Sequence, residues 1–220
     1  MIISALKQQV RDQNRVSIYL DGKYTVSLTM SQLLEQGLKV GAELSDQDIV
    51  GLKTKSTDGK LRTKAMNWVF LRARSVKELR DYLKRTSYPS SKNSQKMPVS
   101  PETSQFIVDD FTRRGWVDDT VFAQWWVGRS SRKNKSTSFL RSELMSKGID
   151  RDTITVTLSE SDDSAVLSEL VAKLSIKSKY ADKQKLMRYL VGKGFSYSSV
   201  REALRPVSYT HLTLPTNREV

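Results

Sequence analysis

Four cations fall within seven residues, Arg129, Arg132, Lys133 and Lys135, and no acid stands among them. Cationic side chains at this density attract phosphates through a long-range field and the release of counterions. A loop built only to be solvated has no need of such an excess, although flexible cationic loops are also ordinary surface features. Arg141 downstream, and Arg72, Arg74, Lys77, Arg80 and Lys84 upstream, extend the candidate surface. Reversing the four cations of the run to acids is expected to weaken binding and leave the fold intact, because a polar loop contributes little to stability.

Other pairings have plainer readings. Asp118 and Asp119 are of the right type for a metal pair, but adjacent acids at the start of a helix serve as cap and dipole partners. Ser130 and Lys133 have the S-x-x-K spacing of some acyl-transfer sites, without the companion motifs. Gly192-Lys193-Gly194 is too short for a phosphate loop and suits a helix C-terminus. The chain has no cysteine and one histidine, His211. That excludes thiolate and multi-histidine metal sites, a cysteine nucleophile and a disulfide framework. No enzyme, cofactor or metal is expected. Trp68, Trp125 and Trp126 either stack on bases or fill a core; their helical spacing among other apolar residues fits a core, as does Trp116 beside Gly115.

The whole chain of 220 residues carries 37 basic and 24 acidic side chains, a net charge of +13. The excess is uneven: residues 1–60 are nearly neutral, 61–135 carry +9, and 136–205 carry +3. A charge gathered in the middle of the chain favours a binding surface over general solubility. No apolar run is long enough to cross a bilayer, and the first residues lack a signal peptide, so a cytoplasmic protein with no membrane partner is expected.

The elements that must position these residues begin with a hairpin. Val16–Leu20 and Tyr24–Leu28 alternate in polarity, and Asp21-Gly22 between them suits a type I′ turn. A short helix over Ser31–Gln36 should end at Gly37, and Ser45 with Asp48 should cap another. Residues 1–58 read as a small α/β module, closed by a linker over the polar stretch Lys53–Gly59. After Gly59 the apolar period lengthens to about 3.6, in Leu61, Ala65, Trp68 and Val69, then in Val76, Leu79 and Leu83. Ser75 with Glu78 caps the second of these helices, and Ser100-Pro101-Glu102 opens a third through Phe106, Ile107 and Phe111. Tyr88–Ser100 reads as a surface loop.

One phrase recurs three times, as Leu79…Leu83, Leu140…Leu144 and Leu186…Leu190. The second and third copies run on to Lys147-Gly148 and Lys193-Gly194, where a helix C-terminus requires a glycine; the first has Ser87. Each copy follows another apolar helix, which predicts a unit of three helices. In the middle copy Ile154–Leu158 alternates like a strand, so helix there rests on the repeat. The fold expected is mainly α: three tandem three-helix repeats, 61–117, 118–160 and 161–205, stacked as an elongated array behind the 1–58 module. Residues 207–220 continue no repeat and read as a non-native tail.

Gly115-Trp116-Val117-Asp118-Asp119-Thr120-Val121-Phe122-Ala123 resembles the signature at a repeat junction in the RecX family of RecA regulators. The basic run before Phe139–Leu144, the Glu78–Leu83 segment and Gly194-Phe195-Ser196-Tyr197 resemble that family as well. The N-terminal hairpin module is similar to the one in RecX proteins of Gram-positive type. The resemblance covers about residues 1–205. This chain departs from it in the long Tyr88–Ser100 loop, in Ser87 and in the bulk of Trp125 and Trp126. It implies a monomer that binds RecA and the RecA–DNA filament, contacts single- or double-stranded DNA, and inhibits recombinase, ATPase and co-protease activities. The alternative is a direct DNA-binding protein that uses its three-helix units as helix-turn-helix-like modules.

Overall fold

A computed structural model describes residues 1–87, 99–129 and 132–205. Most of the expected Tyr88–Ser100 loop, Ser130 of the S-x-x-K pair and the 207–220 tail lie outside them. The described residues divide into two compact units, Met1–Phe122 and the chain from Ala123 onward.

The first unit opens with an antiparallel sheet in the order β1 (Ile3–Gln8), β2 (Arg15–Leu20), β3 (Lys23–Thr29). The expected β2–β3 hairpin is present, with Leu20 opposite Lys23 and positive φ at both Asp21 (47°) and Gly22 (80°). That pair of angles is what a type I′ turn demands. Strand β1 was not expected; it pairs Leu6 with Ile18 and buries Ile3 completely. Helix α1 (Met30–Glu35) is capped by Thr29 in a reciprocal box with Gln32, and Gly37 follows at φ 59°.

Helix α2 (Asp46–Val69), with its Ser45–Asp48 capping box, corrects the expected linker: Lys53–Gly59 is helical throughout. The stretch is polar in composition, yet its inward positions are small. Ser56 is buried and donates its hydroxyl to the Ser27 carbonyl at 2.6 Å, and the Gln32 amide donates to Lys55 O at 2.8 Å. A Cβ on Gly59 would stand 2.7 Å from Gln32 Oε1. One helix therefore serves two cores. Ile49 and Leu52 pack with Ile18, Leu20, Val26 and Leu28 of the sheet. Leu61, Ala65 and Val69 pack with α3 (Val76–Ser87) and α4 (Pro101–Arg113) through Leu79, Leu83, Ile107 and Phe111. Ser100 caps α4 ahead of its N1 proline as expected, but Phe106 lies outside the core, 62% exposed.

The division between the units falls inside α5 (Asp119–Gly128). In the second unit α6 (Thr137–Ser146) and α7 (Arg151–Leu158) follow. Helix α7 is helical despite its strand-like alternation, because Asp150 caps it and Ile154 and Leu158 fall four apart on one buried face. Then come α8 (Asp163–Ser175), a 3-10 turn at Ser178–Tyr180, α9 (Lys183–Val191) and α10 (Tyr197–Ala203). Leu167, Leu170 and Leu174 of α8 close on Leu186, Leu190, Phe195 and Val200. The described residues are thus mostly helical after a small N-terminal module that contains the hairpin, as expected, and the sheet there holds one strand more than the hairpin.

Candidate binding surface

The repeats place aromatic rings and cations together by the same local rule in both units. In the first, Trp68 on α2 stacks on Tyr82 of α3 with centroids 4.4 Å apart, and the Arg74 guanidinium lies 3.7 Å from the indole. Arg72 and Arg74 also pair with Glu78, at 2.9 and 3.8 Å. Burial pushes the Arg74 pKa down, and the neighbouring Arg72 charge adds to this. These two arginines are built into the fold. Lys77, Arg80 and Lys84 are exposed and form a basic stripe along α3 at i, i+3 and i+7.

In the second unit Trp126 is buried, and its indole N–H donates to Glu143 of α6 at 3.0 Å. Glu143 also forms an ion pair with Arg132, Nε to carboxylate 2.7 Å, while the Arg132 guanidinium lies 4.5 Å from the Trp126 ring. Lys135 rests its ammonium 3.7 Å from the Phe139 ring. Burial lowers the Lys135 pKa, and the nearby Lys193 charge lowers it further. Arg129 is exposed with its guanidinium 4.9 Å from Trp125; Lys133 and Arg141 are exposed too.

The basic run is therefore not a uniform solvated loop. Arg132 and Lys135 lie against the aromatic side chains that flank them, whereas Arg129 and Lys133 are exposed, so the four cations are not equivalent. The tryptophans answer the question of core or stacking in a graded way: Trp126 is buried, whereas Trp68, Trp116 and Trp125 are half-buried under arginines.

The two aspartates have separate tasks. Asp118 caps its own helix, accepting from Thr120 N (2.7 Å) and Val121 N (3.0 Å). Asp119 reaches across to α3 and accepts from Val76 N at 2.8 Å. No group of three or more metal-ligating side chains is assembled among the described residues. A different cluster was missed in the sequence: Asp110, buried on α4, accepts from Arg62 (2.6 Å), Arg114 (2.8 Å) and Arg113 (3.1 Å). Burial by itself would raise the Asp110 pKa; the three arginines outweigh it and hold the carboxyl well below its ordinary range.

These features define a class: tandem three-helix units behind a small α/β module, with aromatic rings roofed by cations. Comparison with known proteins narrows it. The regulatory protein RecX N-terminal domain matches residues 1–45, and the second and third three-helix domains of RecX match residues 118–158 and 168–204. The chain is 31% identical over 211 residues to the regulatory protein RecX of Bacillus pumilus, covering 92% of this chain and 76% of that protein. With the RecX of Bacillus subtilis it shares 30% identity over 215 residues, 94% of this chain and 77% of the relative. A crystal structure of regulatory protein RecX, 24% identical, has the same fold, with a TM-score of 0.65 over 92% of this chain and 98% of its own. The chain belongs to the RecX family of regulatory proteins. No helix among the described residues is long and apolar enough to cross a membrane.

Proposed function

We propose that this chain acts in the cytoplasm as a monomer that binds RecA and the RecA–DNA filament. It inhibits recombinase, ATPase and co-protease activities, and so modulates recombination, the SOS response and DNA repair. The observation that carries this reading is family membership spread along the chain, from the N-terminal module to the third three-helix domain. The surface chemistry supports it. Arginine and tryptophan are the residue types enriched where protein partners dock, and here they lie together with the arginine exposed at Trp125–Arg129. Exposed Lys77, Arg80 and Lys84, with Arg129, Lys133 and Arg141, supply positive charge for a polyanionic nucleoprotein.

Retention of the chain on nucleotide-bound RecA, with and without DNA, tests the reading. Capture by RecA in both arms is expected, and weaker capture of the triple variant Arg129→Gln, Lys133→Gln, Arg141→Gln, whose side chains lie outside the core. Absence of any capture by RecA would overturn it. The second reading, direct DNA binding by helix-turn-helix-like modules, draws on the basic stripe of α3; it predicts capture by DNA alone and none by RecA.

A further inference from the structure

The strongest unassigned charge lies in the third repeat. From Lys173 to Lys193 seven cations stand against one acid, Asp182. That acid is already engaged, since its carboxylate caps α9 through Gln184 N at 2.8 Å. Lys177, Lys179, Lys183, Lys185 and Arg188 are all exposed. None of the five pairs with an acid among the described residues. The contrast with Arg132, Arg72 and Arg74, which meet glutamates, is one of chemistry as well as number.

We infer that Lys177, Lys179, Lys183, Lys185 and Arg188 form a binding site for the sugar–phosphate backbone of a nucleic acid. Four of the five are lysines, compact point charges on flexible stems that follow a run of phosphates without fixing a register. Lysine is depleted where proteins dock on one another, which speaks against an acidic protein partner. A membrane surface fits poorly as well: the apolar face of α9, Leu186 and Leu190, is buried in the core, and the large apolar side chains exposed in this repeat, Ile176, Val191 and Tyr197, stand singly along the sequence rather than as one apolar stripe. The Asp182 carboxylate is turned to the Gln184 amide and makes no ion pair with any of the five cations. The site refines the reading above and rests on it for the source of the strand, the DNA of the filament. The aromatic and arginine surface of the second repeat then serves the protein, and the third repeat serves the nucleic acid.

The test is a salt titration of binding to single-stranded and to duplex DNA, without RecA, by the parent chain and by the variant carrying Gln at all five positions. The expected result is at least a tenfold loss of DNA affinity at low salt. The log–log salt slope should flatten by about 0.7 per lost contact on a single strand and about 0.9 on duplex. The strand type with the larger loss identifies the natural ligand. The double variant Lys177→Gln, Lys179→Gln lies outside α9 and carries the test even if helix content changes in the larger variant; its slope on a single strand should flatten by about 1.4. Retention of the five-fold variant on nucleotide-bound RecA without DNA should match the parent. Equal affinity and equal slope for parent and both variants would overturn the site. Loss of DNA binding in a chain whose parent never binds RecA would keep the site and sink the proposed function instead.

Discussion

The Asp163 carboxylate, at the start of α8, accepts from the backbone N–H of Thr137 at 2.7 Å and from its hydroxyl at 2.9 Å, capping α6 from the following repeat. Asp119 does the same for α3 through Val76 N. In each case the preceding acid, Asp162 or Asp118, caps its own helix. An aspartate doublet thus closes two helix N-termini at once, one local and one belonging to the repeat before. Helix starts leave amides unsatisfied, so a carboxylate arriving from a distant segment fastens two repeats by ordinary capping chemistry.

Asp163→Ala and Asp119→Ala should each lower stability by about 0.5–2 kcal/mol, the range for loss of a cap. Urea unfolding followed by circular dichroism measures it. Stability equal to the parent in both variants would mean that the reach across repeats contributes nothing.

Gly194 stands at φ 95°, and an added Cβ would lie 2.5 Å from Ser136 Oγ and 2.6 Å from Phe139 Cβ. Gly194→Ala should therefore cost about 1–3 kcal/mol in backbone strain, with the clash added. Gly128→Ala is the control, since nothing lies within 4 Å of its Cβ position and its φ is ordinary. A thermal melt distinguishes them; equal midpoints would remove the close approach as a structural constraint.

The hairpin was legible because Asp21-Gly22 sits between two alternating runs, and the repeat was legible because its leucine pairs keep their spacing. Strand β1 was not, since Ser4, Lys7 and Gln8 are exposed and only its partner β2 gives it strand geometry. The run Lys53–Gly59 looked like a linker because composition conceals that Ser56 and Gly59 alone face inward. The sequence around Asp119 points only to a local dipole partner, and no local pattern reveals a bond spanning 43 residues. The third-repeat lysines are hidden by arithmetic. Acids from Glu143 to Glu169 balance them when charge is summed over residues 136–205.

The Asp110 cluster sets a pH dependence. Its folded pKa lies below the ordinary value of 3.8, so its contribution to stability is complete above that value and is lost as pH falls toward the folded one. Asp110→Asn should cost about 1–3 kcal/mol near neutrality. The gap between the two proteins should narrow as unfolding is measured at successively lower pH below about 4. A gap that stays constant with pH would contradict a charge-based role for Asp110.

Within the basic run, Arg132→Glu sets a second carboxylate against Glu143 and should destabilise by about 1–3 kcal/mol, whereas Lys133→Glu at an exposed position should stay within about 0.5 kcal/mol. Parallel unfolding curves for both decide it. Equal stability of the two variants would return Arg132 to the status of a solvated side chain.

The proposed regulation of RecA is tested most directly by the rate of DNA-dependent ATP hydrolysis by RecA, followed while this chain is added at well below one molecule per RecA protomer. The expected result is progressive slowing at such ratios, because a bound regulator need only stop filament extension while disassembly continues, with no hydrolysis by the chain itself. RecA turnover unchanged at saturating amounts of the chain would contradict the account.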